Sequence, residues 1–345
     1  MTSATLSPLD DLAQRLSQGE RRALSRAITL VESTRADHRA DAAALLGALG
    51  PGDGKAVRIG LSGTPGVGKS TFIEALGMRL IEAGHRVAVL AVDPSSTRSG
   101  GAILGDKTRM ERLARAPGAF IRPSPSQTHL GGVARRTREC IALTEAAGFD
   151  VVLVETVGVG QSETLVAEMT DVFVLLLAPG GGDELQGVKR GIMEIADLIV
   201  VNKADGTLKP VAEATRADYA AALHLMRRRA GDPEGYPLAL AASAMSGEGL
   251  ETVWERIQAL DGARRESGHR ARRRSEQAVA AMRAGLRERV FAALDADPAL
   301  AEARAALEAE VGAGRCLPET AAASLFAQFM RQSTVATERP RVQRS

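Results

Sequence analysis

The stretch Gly63-Thr64-Pro65-Gly66-Val67-Gly68-Lys69-Ser70-Thr71 follows the apolar run Val57 to Leu61 and leads into a helical pattern from Phe72 to Ala83. This succession of strand, glycine-rich turn and helix narrows the fold more than any other feature of the chain. Glycines allow a tight turn whose successive backbone N–H groups point at one oxyanion, and the helix presents its positive end to the same charge. In the GxxxxGK[ST] spacing, Lys69 is expected to reach the β- and γ-phosphates of a nucleotide. The Ser70 hydroxyl is placed to ligate Mg²⁺, and Thr71 to contact the α-phosphate. A turn without a ligand leaves the Lys-Ser pair at this offset unexplained. Neither Thr64 nor Pro65 is the second lysine that partition-type ATPases carry in this loop.

Five further apolar runs follow, separated by amphipathic stretches: Val87 to Val92, Val151 to Val154, Val172 to Leu177, Leu198 to Val201 and Leu238 to Ala242. Several lack polar alternation, as strands covered on both faces do. The expected class is α/β: a P-loop nucleoside-triphosphatase fold with a mainly parallel sheet flanked by helices, and helical extensions at both ends. Residues 1–52 read as an N-terminal helical segment, 53–262 as the nucleotide-binding domain, and 263–345 as a helical arm ending in a flexible tail from about Thr334. Arg264, Arg265, Arg270, Arg272, Arg273 and Arg274 crowd together at the start of that arm and read as a solvated linker or helix start. Beyond them Val279, Met282, Leu286, Val290 and Leu294 recur at helical spacing.

With 345 residues, 45% of them hydrophobic, the chain can bury a full core. Its 44 basic and 42 acidic residues give no electrostatic bias toward nucleic acid or an anionic membrane. Aromatic residues make up only 3% of the chain, so the arginine cluster lacks the stacking platforms of an RNA-binding module. Cys140 and Cys316 lie in no CxxC or Cys/His cluster and read as reduced and structural. Acids interrupt the first residues where a secretory signal needs an apolar run, and no later stretch reaches an uncharged membrane-spanning length. A cytoplasmic location is expected.

Hydrolysis and metal binding need carboxylates at the carboxyl ends of neighbouring strands, where open α/β sheets bind ligand. Asp93 follows one candidate strand and Glu155 another, three residues before Gly158, whose N–H is placed to meet the γ-phosphate. Asp106, in Gly105-Asp106-Lys107-Thr108-Arg109, is a further candidate metal-linked residue. The catalytic set is therefore Lys69, Asp93 and Glu155, and the metal set is Ser70, Asp93, Asp106 and Glu155. Asp93 is the candidate general base or water anchor.

Base choice is written in Asn202-Lys203-Ala204-Asp205, after the run Leu198 to Val201. A carboxylate at Asp205 can accept from guanine N1–H and its exocyclic amine in one plane, while the Lys203 stem lies along the base and Asn202 ties the loop together. Adenine offers neither donor in that arrangement, so a mismatched base strands a carboxylate. Backbone N–H groups of Ser243-Ala244-Met245, after the last strand candidate, are expected near guanine O6.

The stretches GTPGVGKST, VDPSS from Val92, GGAILGDKTRM from Gly100, ETVGVGQSE from Glu155, APGGGDELQGVKRGIMEIAD from Ala178 and NKAD from Asn202 resemble the MeaB/ArgK-type GTPases over nearly the whole chain. The resemblance implies a homodimeric GTPase that acts as chaperone to an adenosylcobalamin-dependent methylmalonyl-CoA mutase or a close relative, with the C-terminal arm as dimerisation element. GTP hydrolysis in such proteins gates loading and removal of the mutase's cofactor, and no cobalamin is expected on this chain itself. The resemblance also implies a switch from Gly180 to about Arg190, with Asp183, Glu184 and Lys189 coupling nucleotide state to the partner. Competing expectations are a metallochaperone GTPase, disfavoured by five scattered His and no CxxC, and a protein kinase linked to amino-acid transport, disfavoured by the lack of an acceptor-base motif.

Overall fold

The computed structural model describes residues 7–92, 110–123, 130–156, 162–180, 190–226, 229 and 231–338. Three helices come first: α1 (Pro8–Ser17), α2 (Arg21–Glu32) and α3 (Ala36–Leu49). Then follow β1 (Val57–Gly63), α4 (Lys69–Glu82), β2 (Val87–Val92), α5 (Glu111–Arg115), β3 (Ala119–Arg122) and α6 (Leu130–Ala146). The alternation continues with β4 (Val151–Thr156), α7 (Ser162–Ala167), β5 (Val172–Leu177), α8 (Arg190–Ile195), β6 (Leu198–Val201), α9 (Lys209–His224), β7 (Leu238–Ala241) and α10 (Leu250–Glu266). Three more helices, α11 (His269–Ala296), α12 (Pro298–Gly312) and α13 (Pro318–Glu338), close the described chain.

The strands form one seven-stranded sheet in the order β3-β2-β4-β1-β5-β6-β7, with every pair parallel. The side-chain period of two divides the strand residues between two cores. Ile59, Leu61, Val89, Leu153 and Val174 pack with Phe72, Ile73 and Leu76 of α4 and with Val253 and Ile257 of α10. Leu90, Val152, Val154, Phe173 and Leu175 share the opposite core with Val133 and Ile141 of α6. Leu16, Leu24, Ile28 and Leu45 of the first three helices belong to that same core and are fully buried. At about 1.5–3 kcal/mol for each fully buried aliphatic side chain, these helices are part of the core and not an appendage to it.

Three differences from the sequence expectation have physical reasons. β3 was absent from the strand candidates, because Ala119–Arg122 is a four-residue edge strand with one branched aliphatic residue and a charge. β4 extends two residues further than its apolar run, so Glu155 lies inside the strand, opposite Leu61 of β1 and Ala91 of β2. The arginine-rich stretch does hold a helix start, at His269, but Arg264 and Arg270 are buried and not solvated. Arg264 is 1% exposed and lies between Asp197 at 2.6 Å and Asp232 at 2.7 Å. Arg274 donates to Asp171 at 2.6 and 2.8 Å, and Arg270 to Asp261 at 2.9 Å. Asp171 and Asp197 immediately precede β5 and β6 and also accept the amides of Arg58 and Phe173. These arginines therefore clamp the amino ends of the strands, opposite the end where β1 turns into α4.

The chain divides into two compact units, residues 1–278 and 279–345. In the second, α12 starts on an Asp297 cap, whose side chain accepts from the amides of Ala299 and Leu300. Val279, Met282, Leu286 and Phe291 of α11 and Phe326 and Met330 of α13 are exposed. The last helix is assigned through Glu338.

Candidate nucleotide site

β1 lies between β4 and β5, so the strand order reverses beside it and a crevice opens at its carboxyl end. The loop leaving β1 there has no room for a side chain at two positions, Gly63 and Gly68. A Cβ on Gly63 would stand 2.4 Å from the Leu176 carbonyl oxygen of β5. Gly68, at φ +90°, caps α4 in the left-handed region, and a Cβ there would meet the Asn202 side-chain nitrogen at 2.9 Å. Between them the Val67 amide donates to the Thr64 carbonyl at 3.3 Å, and the Val67 side chain is buried in the core. Pro65 and Gly66 remain exposed at the tip.

Lys69, the first residue of α4, turns its ammonium back over this loop and donates to the Gly63 carbonyl at 2.7 Å and the Thr64 carbonyl at 3.4 Å. Burial lowers its pKa below the ordinary lysine value, against the opposing pull of Glu155 and Glu163. A half-desolvated cation at the mouth of an amide-lined turn favours a polyanionic ligand. Ser70 is half-buried and Thr71 exposed on the same first helical turn.

Glu155 is 4% exposed at the end of β4. Next to it, Thr156 donates its hydroxyl to Ser62 at 2.9 Å, with both residues buried, so the strand carrying the acid is tied to the strand carrying the phosphate loop. Glu163 was part of a quoted motif but had no role in the sequence reading. It is 1% exposed on α7, and its charge acts on Lys69 beside that of Glu155. The available signal was its place eight residues after Glu155. Ser70 and Glu155 offer hard oxygen donors at the ends of neighbouring elements, the donor type that Mg²⁺ takes with phosphate oxygens and water. Among the described residues no group of three His, Cys, Asp or Glu could hold a metal unaided. Asp93, Asp106, Gly158, Asp183, Glu184 and Lys189 lie outside the described residues.

The base side is built on the ends of β6 and β7. Asn202, 1% exposed, donates its side-chain amide to the Val67 carbonyl at 2.9 Å and accepts the Ala244 amide at 3.1 Å. Lys203 takes φ +60°, a left-handed conformation costing a side-chain-bearing residue about 1–3 kcal/mol. From there its ammonium donates to the Gly66 carbonyl at 2.7 Å, laying its aliphatic stem between the two loops. The Asp205 carboxylate accepts the buried Ser243 hydroxyl, and that hydroxyl oxygen accepts the Ser246 amide at 3.1 Å. Ser243 thus meets Asp205 through its side chain, whereas a backbone role was expected of it. The Ser243 and Ala244 amides are engaged within the loops, to Glu248 and Asn202, while Met245 is exposed at the rim.

The arrangement has close counterparts. The profile of the methylmalonyl-CoA mutase-associated GTPase MeaB matches residues 24–299. A putative GTPase of Caulobacter vibrioides is 54% identical over 321 residues, covering 93% of this chain and 98% of that protein. The mitochondrial methylmalonic aciduria type A homolog of Mus musculus is 46% identical over 331 residues, covering 93% of this chain and 79% of its own length. The crystal structure of a LAO/AO transport system kinase superposes with a TM-score of 0.73 at 40% identity, covering 95% of this chain and all of that one. No helix among the described residues is long and apolar enough to cross a membrane. A phosphate loop bonded to a guanine-type loop, in a chain matched over most of its length, identifies a GTP hydrolase that belongs to the MeaB family of methylmalonyl-CoA mutase-associated GTPases.

Proposed function

We propose that this GTPase is Mg²⁺-dependent and serves as chaperone to an adenosylcobalamin-dependent methylmalonyl-CoA mutase, gating cofactor loading and reactivation. The observation that carries the nucleotide part is the Asn202 bridge between the base loop and the phosphate loop at 2.9 Å. The partner part rests on the family description and on the aciduria-related name of the mouse relative.

In this reading the Gly63–Thr71 turn holds the phosphates, Lys69 exchanges its loop carbonyls for β- and γ-phosphate oxygens, and Asp205 reads the guanine edge with Met245 at the rim. Ser70 and Glu155, with Asp93 and Asp106, hold Mg²⁺, which when bound neutralises charge on the β- and γ-oxygens. Asp93 anchors the attacking water and Gly158 meets the γ-phosphate. Asp183, Glu184 and Lys189 carry nucleotide state to the mutase, whose cobalamin this chain does not itself bind. The exposed apolar residues of α11 support pairing with a second copy, and the site of action is the cytoplasm.

Phosphate release from GTP is to be measured with and without purified methylmalonyl-CoA mutase. A several-fold rise together with co-elution of the two proteins is expected, and an unchanged rate without co-elution would overturn the partner assignment. γ-Labelled GTP separates hydrolysis from the kinase activity named for the solved neighbour. Label is expected as free phosphate, and label retained on protein would favour transfer.

A further inference from the structure

Arg136 lies on α6, well inside its first half, and is 7% exposed. Its Nε and Nη1 groups are enclosed with no hydrogen-bond acceptor. Buried donors are almost always paired, and a guanidinium cannot shed its proton to escape the cost.

The carboxylates whose charge reaches it, Glu139 and Glu32, bond to other arginines. Arg39 of α3 donates to Glu139 at 2.9 and 3.0 Å, and Arg135 stands 3.8 Å from that same carboxylate. Arg122, at the carboxyl end of β3, donates through Nε to Glu32 of α2 at 3.0 Å and makes a second bond to it through Nη2. Both of these carboxylates are therefore engaged, Glu139 by Arg39 and Glu32 by Arg122. Burial, followed by the like charges of Arg135 and Arg39, lowers the pKa of Arg136 from its ordinary value. Arg39, Arg122 and Arg135 keep between 21% and 33% of their side-chain surface exposed, so the cluster opens to solvent at its edge.

The cluster is not part of the phosphate loop. β2 and β4 separate β3 from β1, which at ordinary strand spacing is about 14 Å. It nevertheless lies near the same end of the sheet, because Arg122 ends β3 and α6 begins just beyond it.

We infer that Arg136, with Arg39, Arg122 and Arg135 around it, forms a second oxyanion site that takes the phosphate or carboxylate group of a small ligand. A planar fork of N–H donors matches either group. The site is a proposal separate from the GTPase reading, since none of its residues belongs to the Gly63–Thr71 turn or to the loops after β6 and β7.

The test uses the full chain saturated with GDP and Mg²⁺, so that the phosphate loop is filled. Calorimetric titration with inorganic phosphate and, separately, with succinate is expected to show one site per chain for at least one of them. Binding of phosphate alone identifies a phosphate site, and binding of succinate alone a carboxylate site. Arg136→Met is expected to weaken that binding at least about tenfold, the factor carried by ~1.4 kcal/mol. In anion-free buffer the same variant is expected to unfold at a temperature no lower than the parent, because it removes buried donors that have no acceptor; the bound anion then raises the midpoint of the parent only. Arg136→Lys keeps the charge without the fork and is expected to bind more weakly than the parent. Failure of both anions to bind the parent, equal binding by Arg136→Met, or marked destabilisation of that variant without anion would overturn the assignment.

Discussion

From the end of β6, Asn202 donates to the Val67 carbonyl in the phosphate loop at 2.9 Å and accepts the Ala244 amide from the loop after β7 at 3.1 Å. One buried amide thus fixes the distance between the Gly63–Thr71 turn and the loops after β6 and β7. Gly68 must be glycine for the same reason, since a Cβ would fall on the Asn202 nitrogen.

Asn202→Ala leaves the Val67 carbonyl and the Ala244 amide unpaired inside the protein. The expected cost is about 1–3 kcal/mol in stability, with weaker binding of both GTP and GDP. Denaturant unfolding and nucleotide titration check the two effects separately. Full retention of both would show that the bridge does not organise the site.

Glu155→Gln keeps the shape of the β4 terminus and removes one charge. Binding of GTP without Mg²⁺ is expected to stay within about twofold, while Mg²⁺-dependent turnover falls by roughly 10²-fold or more, the scale of losing one electrostatic contact to the transition state. Phosphate release measured across a Mg²⁺ series checks this. Parent-like dependence in the variant would remove Glu155 from the metal set.

Arg264 is the keystone of the clamp at the amino ends of β5 and β6. Burial pushes the Asp197 carboxyl up, but the charge and hydrogen bonds of Arg264, with Arg229 and Arg273, outweigh it and hold the pKa low. Asp171 is held low in the same way, chiefly by Arg274 against its burial. Folded carboxyls below the unfolded value of about 3.9 contribute stability that is fully present above that pH and is lost as pH falls through their folded pKa. Asp261 works in the opposite sense, because burial raises its pKa despite Arg270. Arg264→Ala is therefore expected to cost about 3–5 kcal/mol at neutral pH, with the gap to the parent narrowing below about pH 4. Urea midpoints at pH 7 and pH 3.5 measure it, and a pH-independent gap would contradict the ion-pair account.

The turn after β1 was legible in the sequence because backbone chemistry dictates it: only glycine passes Leu176. The parallel sheet was legible in its unalternated apolar runs. What escaped were relations set by tertiary contact. Arg264, Arg270 and Arg274 read as solvated because nothing local shows that Asp171, Asp197 and Asp232, far away in sequence, will surround them. The Ser243 hydroxyl on Asp205, the Thr156 hydroxyl on Ser62 and the burial of Glu163 beside Lys69 are likewise invisible to spacing. Edge strand β3 escaped because four residues carry no period.

Asp183→Ala and Lys189→Ala bear on the proposed switch. Intrinsic GTP hydrolysis is expected to remain nearly that of the parent, while stimulation by the mutase weakens. Single-turnover rates with and without partner separate the two, and undiminished stimulation would remove these residues from the coupling role.

The central claim is that one site holds a triphosphate at the Gly63–Thr71 turn and reads guanine through Asp205. Titration calorimetry with GTP and with ATP, both with Mg²⁺, tests it most directly. The account predicts GTP binding tighter by a factor of roughly 10⁴, since adenine leaves the half-buried Asp205 carboxylate without donors. Equal affinity for the two nucleotides would contradict it.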